Sequence, residues 1–253
     1  MKTHPTLAAM MAAISACAGP TQYLTTGLGP DRDPLATKSR AVSVGATAAI
    51  DLRMRDGSAR IIAGKGDSIR ARLVLTRHSD RDHRNDCTPQ IAESATISMR
   101  QVARTIDLRL DSKQRLRCAE HWTIEVPEAL DVVVSADVAN VGVSGISGDV
   151  IATIDVGNVT IKEAGASALA RVKSVGDATA ESETTTYAEA MAKASVGRTE
   201  LLVDGHRVNV RRSPGPGGRI SLTGSGRDRV IAETGVGDAK VSLTRKQGSA
   251  ESR

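Results

Sequence analysis

The chain of 253 residues has no Phe, one Trp and two Tyr, and its apolar 40% is almost wholly Ala, Val, Leu and Ile. A core without rings has to be assembled from small, branched side chains in thin layers. The same absence counts against sites that stack bases or sugars on aromatic faces, as single-stranded nucleic-acid binders and many carbohydrate-active enzymes do. Cysteine is scarce, with three in all, and no apolar run approaches the roughly 18 to 20 residues of a membrane-spanning helix. What the chain does have is charge: 34 Lys plus Arg against 29 Asp plus Glu, a formal net charge of +5.

The N-terminus has the layout of an export signal, with Lys2 at its head, an apolar run over residues 7–14, and small residues before Cys17. Ile14-Ser15-Ala16-Cys17 also resembles the bacterial lipobox, whose cysteine is lipidated and becomes the first residue of the mature chain. Ala16-Cys17-Ala18 equally satisfies a plain secretory cleavage rule, which would give a soluble protein starting at Gly19. With Cys17 used for lipid, Cys87 and Cys118 remain. Two cysteines in an oxidising compartment allow one pairing, which closes a 31-residue loop and stabilises by roughly 3 to 4 kcal/mol in the chain-entropy account.

Residues 17–40 are rich in Gly, Pro, Thr and Asp and read as a flexible tether after the 1–16 signal peptide. From Ala41 the period of two takes over, as in Ile50-Asp51-Leu52-Arg53-Met54-Arg55 and Ile106-Asp107-Leu108-Arg109-Leu110. Asp56-Gly57 between two such runs is a hairpin signal. Residues 41–126 therefore form an N-terminal β-lobe, 127–243 a β-strand repeat region, and 244–253 a disordered tail. The repeat is Val-Gly or Ser-Gly followed by a polar residue, at Gly148-Asp149, Gly157-Asn158, Gly176-Asp177, Gly197-Arg198 and Gly237-Asp238. These glycines stand 9, 19, 21 and 40 residues apart, close to multiples of ten, and ten residues suit one turn plus one strand. The expectation is an all-β fold: a repeat sheet or right-handed parallel β-solenoid, with a sandwich of hairpins as the alternative. The alternating alanines of 187–194 fit a strand in that frame, although their composition also suits a helix.

The repeat, together with Asp56-Gly57-Ser58-Ala59-Arg60-Ile61 and above all Ser147-Gly148-Asp149-Val150 and its later copies, resembles the bacterial putative adhesin family. That is a β-strand-repeat domain of unknown function found in exported and membrane-attached proteins. The resemblance runs from about residue 45 to 243. It implies a solenoid-like β fold, brings no catalytic residues, and departs from the pattern at 178–195 and 214–218, where an interruption is expected.

Few clusters carry chemistry. Arg77-His78 to Asp86-Cys87 holds imidazoles and carboxylates, but its interleaved arginines would repel a cation, so it reads as a solvated loop ending in a disulfide cysteine. Asp149, Asp177 and Asp238 are interrupted as a series by Asn158 and Arg198, and read as turn formers rather than a calcium ladder. Glu181, Glu183, Glu189 and Asp155 are the carboxylates a polysaccharide-cleaving β-helix could use, with nothing in the sequence to pair them. Arg207, Arg211, Arg212 and Arg219 cluster about the Pro-Gly loop as candidate anion-binding residues. No metal, cofactor or nucleic acid is expected.

The whole reads as a non-catalytic cell-envelope lipoprotein, periplasmic or at the cell surface. Its membrane attachment is the lipid anchor, and its partner is an anionic envelope polymer or a protein. An exported enzyme acting on envelope polysaccharide is the alternative. Replacing Cys17→Ser should move the chain from the membrane to the soluble fraction and abolish an acyl mass on the mature N-terminus. An unmodified wild-type chain in the soluble fraction would remove the anchor.

Overall fold

A computed structural model describes residues 34–77, 87–112, 117–183, 186–208 and 217–244. Within them the chain is β-structure apart from one short helix. The elements in chain order are β1 (Ala36–Ser43), β2 (Ala49–Gly64), β3 (Ser68–Thr76), α1 (Pro89–Ser94), β4 (Thr96–Val102), β5 (Thr105–Asp111), β6 (Ala119–Pro127), β7 (Asp131–Ser144) and β8 (Val150–Ala164). There follow β9 (Ala168–Val175), β10 (Ala178–Ser182), β11 (Tyr187–Val196), β12 (Thr199–Val203), β13 (His206–Arg207), β14 (Gly218–Thr223), β15 (Asp228–Val236) and β16 (Ala239–Leu243). All sixteen strands belong to one open mixed sheet.

The sheet has two faces because its longest strands turn a corner. In β8 the buried residues are Val150, Ala152 and Ile154, then Val159 and Ile161, with Ala164 beyond an irregularity at Glu163. A straight strand keeps one parity; the switch from even to odd numbers marks a bend at Gly157. The same switch occurs in β7, from Val132 and Val134 to Val141 and Val143, and in β2, from Ile50 and Leu52 to Ala59 and Ile61. The first halves of these strands lie in a first face, ordered β4-β5-β2-β7-β8-β9-β15-β11-β14. The second halves lie in a second face, β1-β3-β6-β2-β7-β8-β10-β16-β12-β13. From β2 as far as β11 and β12 the strands pair in parallel, and β14 and β13 end the two faces antiparallel.

Register turns this stacking into columns. Ile50, Val132, Val150, Ala168, Val230 and Ala190 are aligned on the first face. Ile61, Val143, Ile161, Ala180, Val241 and Leu201 are aligned on the second. All are buried in one continuous core. Toward β9, β10 and β11 the columns narrow to alanine, which is why rings are missing. The lone Trp122 is buried in β6 beside the small Ala59.

Several expectations are corrected. The tether does not run to residue 40: β1 begins at Ala36 and pairs antiparallel with β3. Its even-numbered positions face inward, and two of them are cations that close the core edge, Lys38 on Glu93 at 2.7 Å and Arg40 on the Ile97 carbonyl at 2.7 Å. Those cations erase the apolar alternation. Asp56-Gly57 is no hairpin, because β2 runs through it as a single strand with its corner there. The stretches 41–126 and 127–243 share one sheet, since β2 pairs with β7 along nearly its whole length. The stretch 178–195 is no interruption either: β10 and β11 take their places in the stack, and 187–194 is strand.

The true interruption is one of order. The coil formed by β15 and β16 sits between that of β9 and β10 and that of β11 and β12. The last coil in sequence is thus inserted before its predecessor, and the spacing of 40 holds the additional strands β13 and β14 as well as β12 and β15. Cys87 and Cys118 form the expected disulfide, with Cα atoms 5.1 Å apart. Cys87 lies just before α1, which is capped by Thr88 Oγ1 accepting from Ile91 N and has Pro in its first turn. The signal peptide, Cys17, the histidine-rich loop at 78–86 and the tail after Thr244 lie outside the described residues.

Apart from Ala139 in β7, the corners are built from glycine because the coils touch there. Gly157 (φ 119°) and Gly176 (φ 138°) adopt a backbone that L side chains rarely take. A Cβ on Gly176 would overlap the Gly157 carbonyl oxygen, and one on Gly157 the Ala139 oxygen; Gly237 and Gly197 continue the column. Each Asx after the corner then caps the next coil. Asp177 N donates to Asn158 Oδ1 at 3.0 Å, Asp238 N to Asp177 Oδ1 at 2.8 Å, and Arg198 N to Asp238 Oδ1 at 3.0 Å. Gly148 and Asp149 belong to the opposite, return side, where Asp149 N donates to Asp131 Oδ1 and Ser167 N to Asp149 Oδ1. Gly176→Ala should lower the free energy of unfolding by about 2 to 4 kcal/mol. Gly142→Ala, whose added Cβ meets open space, should change it by less than about 0.5 kcal/mol. Urea unfolding of the two variants makes the comparison, and equal losses would contradict the corner column.

Candidate binding face

The outward positions of the two faces carry charge differently. On the first face cations are matched by acids: Arg53 with Asp51 (2.7 Å), Lys173 with Asp155 (2.9 Å), Arg171 and Lys193 with Glu233 (2.9 and 2.6 Å), and Arg219 and Arg229 with Glu189 (3.5 and 2.8 Å). The Lys193 hydrogen bond holds the Glu233 carboxyl below its ordinary range, with Arg171 assisting against a smaller opposing effect of burial. Such partly exposed pairs each contribute only about 0 to 1 kcal/mol. Their consequence is that each of these six cations already has a carboxylate partner, Glu233 and Glu189 being shared by two cations each.

The second face also has pairs, Arg70 with Glu125 and Arg207 with Glu200, but between them it carries cations without an acid partner among the described residues. Alternation and register align Arg60 of β2, Gly142 of β7, Thr160 of β8, Thr179 of β10 and Lys240 of β16 in one outward row. The row two residues farther along includes Ser144 and Lys162. The corner row is Asn140, Asn158, Asp177, Asp238 and Arg198. Gly142 contributes no side chain to the surface, and a Cβ there would meet nothing. The result is a shallow depression of about 540 Å³ crossing the strands, with Arg60, Lys162 and Lys240 on its rim and Glu181 as its one acid. The side chains of Arg60, Lys162 and Lys240 make no ion pair or hydrogen bond among the described residues. A second hollow of about 510 Å³ adjoins it at Thr179 and Lys240, and there Arg207 is paired with Glu200.

The expected anion cluster is therefore divided. Arg207 stands on the second face beside Glu200, whereas Arg219 stands on the first beside Glu189; Arg211 and Arg212 lie outside the described residues. The chain passes from β13 to β14 between them, so nearness in sequence does not bring them together. The turn acids Asp177 and Asp238 spend one carboxylate oxygen each on the neighbouring coil. Among the described residues no three His, Cys, Asp or Glu gather as a metal site. The candidate catalytic carboxylates are also dispersed: Asp155 and Glu189 are ion-paired on the first face and Glu181 lies in the second-face depression.

Sequence reading missed Arg60, Lys162 and Lys240, which are far apart in the chain and meet only through register. It also missed the valines of the repeat. Val138, Val156, Val175, Val236 and Val196 align along the outside of the corner and are 37 to 53% exposed. At the other end of the column His121 bridges strands, its Nδ1 3.0 Å from Ser58 Oγ and its Nε2 3.0 Å from Thr76 Oγ1.

A crystal structure of a putative cell adhesion protein from Clostridium sporogenes is similar over 85% of this chain and 100% of its own, with a TM-score of 0.52 and 16% identity. Looser alignments are found with a putative adhesin from Bacteroides fragilis, with a TM-score of 0.28, 13% identity, and 82% and 97% of the two chains covered. A putative lipid binding protein from Parabacteroides distasonis aligns with a TM-score of 0.21 and 9% identity over 82% and 96%. The likeness to the Clostridium structure is one of fold. No family model matches the chain, and no curated protein is significantly similar.

Buried Glu120 sits where β6 meets the corner of β2, paired with Gly57. Burial pushes its carboxyl up from 4.5 to about 7, against the Trp122 Nε1–H that donates to it at 2.9 Å and a backbone N–H from Arg55. Its folded-state value lies above that of the unfolded chain. The stability it confers is thus fully present below about pH 4.5 and lost as pH rises through about 7. Glu120→Gln should remove that dependence and stabilise the protein at pH 8 by up to about 3 kcal/mol. Trp122 is the only tryptophan, so its fluorescence should titrate near pH 7 in the wild type and be flat in the variant. A wild-type signal that is flat from pH 5 to 9 would contradict the buried carboxyl.

Proposed function

We propose that this chain is a non-catalytic binding module of the bacterial cell envelope, of the adhesin type, exported by its leader and held to a membrane by lipid on Cys17. The observation that carries the reading is the contrast between the faces: matched ion pairs on the first, and on the second a depression rimmed by three cations without partners among the described residues. Ions left in water at the rim of a concave surface remain available to an incoming anionic group, whereas paired ones must first lose their partner. The names of the structurally similar proteins and the lipobox agree with a role in attachment at the cell envelope. Dispersal of the candidate carboxylates over two faces argues against the hydrolytic alternative.

The test is retention of the mature protein on envelope fragments sedimented from bacteria. Substituting Arg60, Lys162 and Lys240 together by Ala should lower retention at least tenfold and make the remainder insensitive to salt. Substituting the paired Arg171 and Lys193 should leave it within twofold. Equal losses from both sets would show that the second face is not the binding face.

A further inference from the structure

We propose that the second-face depression holds a linear acidic polysaccharide, laid across the strands, with its negative charges widely spaced along an otherwise hydroxyl-rich chain. The inference rests on the second face being the binding face and adds the chemistry of the ligand. Its first support is spacing. Arg60, Lys162 and Lys240 come from β2, β8 and β16, which are alternate strands in the order β2-β7-β8-β10-β16. Adjacent strands lie about 4.8 Å apart, so successive cations are separated by about 10 Å across the sheet, with Lys162 displaced to the neighbouring row. A polymer bearing one carboxylate per disaccharide presents charge on a comparable scale.

The second support is the floor between the cations. Gly142 opens the depression, and Thr160 and Thr179 supply hydroxyls in the same row as Arg60 and Lys240. Asn140 and Asn158 flank them; the Asn158 amide donates to Asn140 Oδ1, which leaves the Asn140 amide N–H groups directed to solvent or ligand. Glu181 adds an acceptor suited to a sugar hydroxyl and penalises a ligand with a charge at every unit. Hydroxyls, amides and sparse cations complement a sugar chain.

Other polyanions fit less well. A single-stranded nucleic acid carries a phosphate at every nucleotide and is gripped by rings, yet the depression has no aromatic residue and Trp122 is buried. An anionic membrane would meet the exposed valine ridge of the corner, but Asp177 and Asp238 follow that ridge and would oppose anionic headgroups.

The experiment is calorimetry of the full mature chain with hyaluronan fragments, which carry one carboxylate per disaccharide, and with dextran as the neutral control. Hyaluronan should bind with an affinity that falls at least tenfold between 25 and 250 mM salt, as expected for about three charge contacts. Dextran should not bind. Lys162→Ala and Lys240→Ala should each weaken binding three- to tenfold. Gly142→Leu, which fills the depression without changing charge, should abolish it while circular dichroism stays native. Equal binding of dextran, or hyaluronan binding unchanged in the Gly142→Leu and triple-alanine variants, would overturn the proposal. So would preferential binding of single-stranded DNA or of phosphatidylglycerol vesicles. If none of these probes binds while envelope retention still depends on the three cations, the ligand class is wrong and the binding face stands. Loss of that dependence would instead defeat the binding face itself.

Discussion

Close approach of backbone to backbone at one corner governs this molecule. At Gly57, Gly157, Gly176, Gly237 and Gly197 the chain passes so near the carbonyl of its neighbour that a Cβ would overlap it, and glycine with positive φ allows the passage; β7 turns its corner on another small residue, Ala139. Once the coils are that close, the Asx side chain following the glycine reaches the amide of the next coil. The return side repeats the device with Asp131, Asp149 and Ser167. These contacts fix register, and in a sheet register decides which side chains meet. The inner columns of Ile, Val and Ala and the outer rows of charge follow from that one constraint.

The narrowness of the coil has two consequences. Inside, facing columns that shrink to alanine in β9, β10 and β11 leave no room for rings, and the single Trp122 is accommodated only where Ala59 stands beside it. Outside, parallel stacking converts separated positions in the sequence into straight rows. On one face the rows pair acid with base. On the other they leave a hydroxyl-lined hollow and cations that no acid neutralises among the described residues. A thin scaffold of this kind offers an extended outer surface rather than an enclosed one.

What could be read from the sequence was whatever is local. Alternation in Ile50 to Arg55 and Ile106 to Leu110 announced strands, and the Val-Gly-Asx recurrences announced the stacking. The cysteine count announced the Cys87–Cys118 bridge, which the structure contains. What escaped was whatever depends on a partner from far along the chain. β1 was hidden because Lys38 and Arg40 occupy its inward positions to bond Glu93 and the Ile97 carbonyl. Gly57 looked like a hairpin because a corner and a turn ask for the same residue. The ten-residue unit is half a coil, with corner and return counted together, so the order of coils could not be inferred from spacing. Arg60, Lys162 and Lys240 carried no signal at all until Gly142 and the register placed them on one rim.

The claim on which the rest depends is the order of the coils, with β16 lying between β10 and β12. It is tested most directly by paired cysteines in a chain whose Cys17 is Ser and whose native disulfide is intact. Thr179 and Lys240 are register partners, as are Lys240 and Glu200; Thr179 and Glu200 are two strands apart. Mild oxidation should join cysteines at 179 and 240, and should leave those at 179 and 200 free. A bond between 179 and 200 with none between 179 and 240 would mean that the coils stack in sequence order, and the row of Arg60, Thr160, Thr179 and Lys240 would not exist.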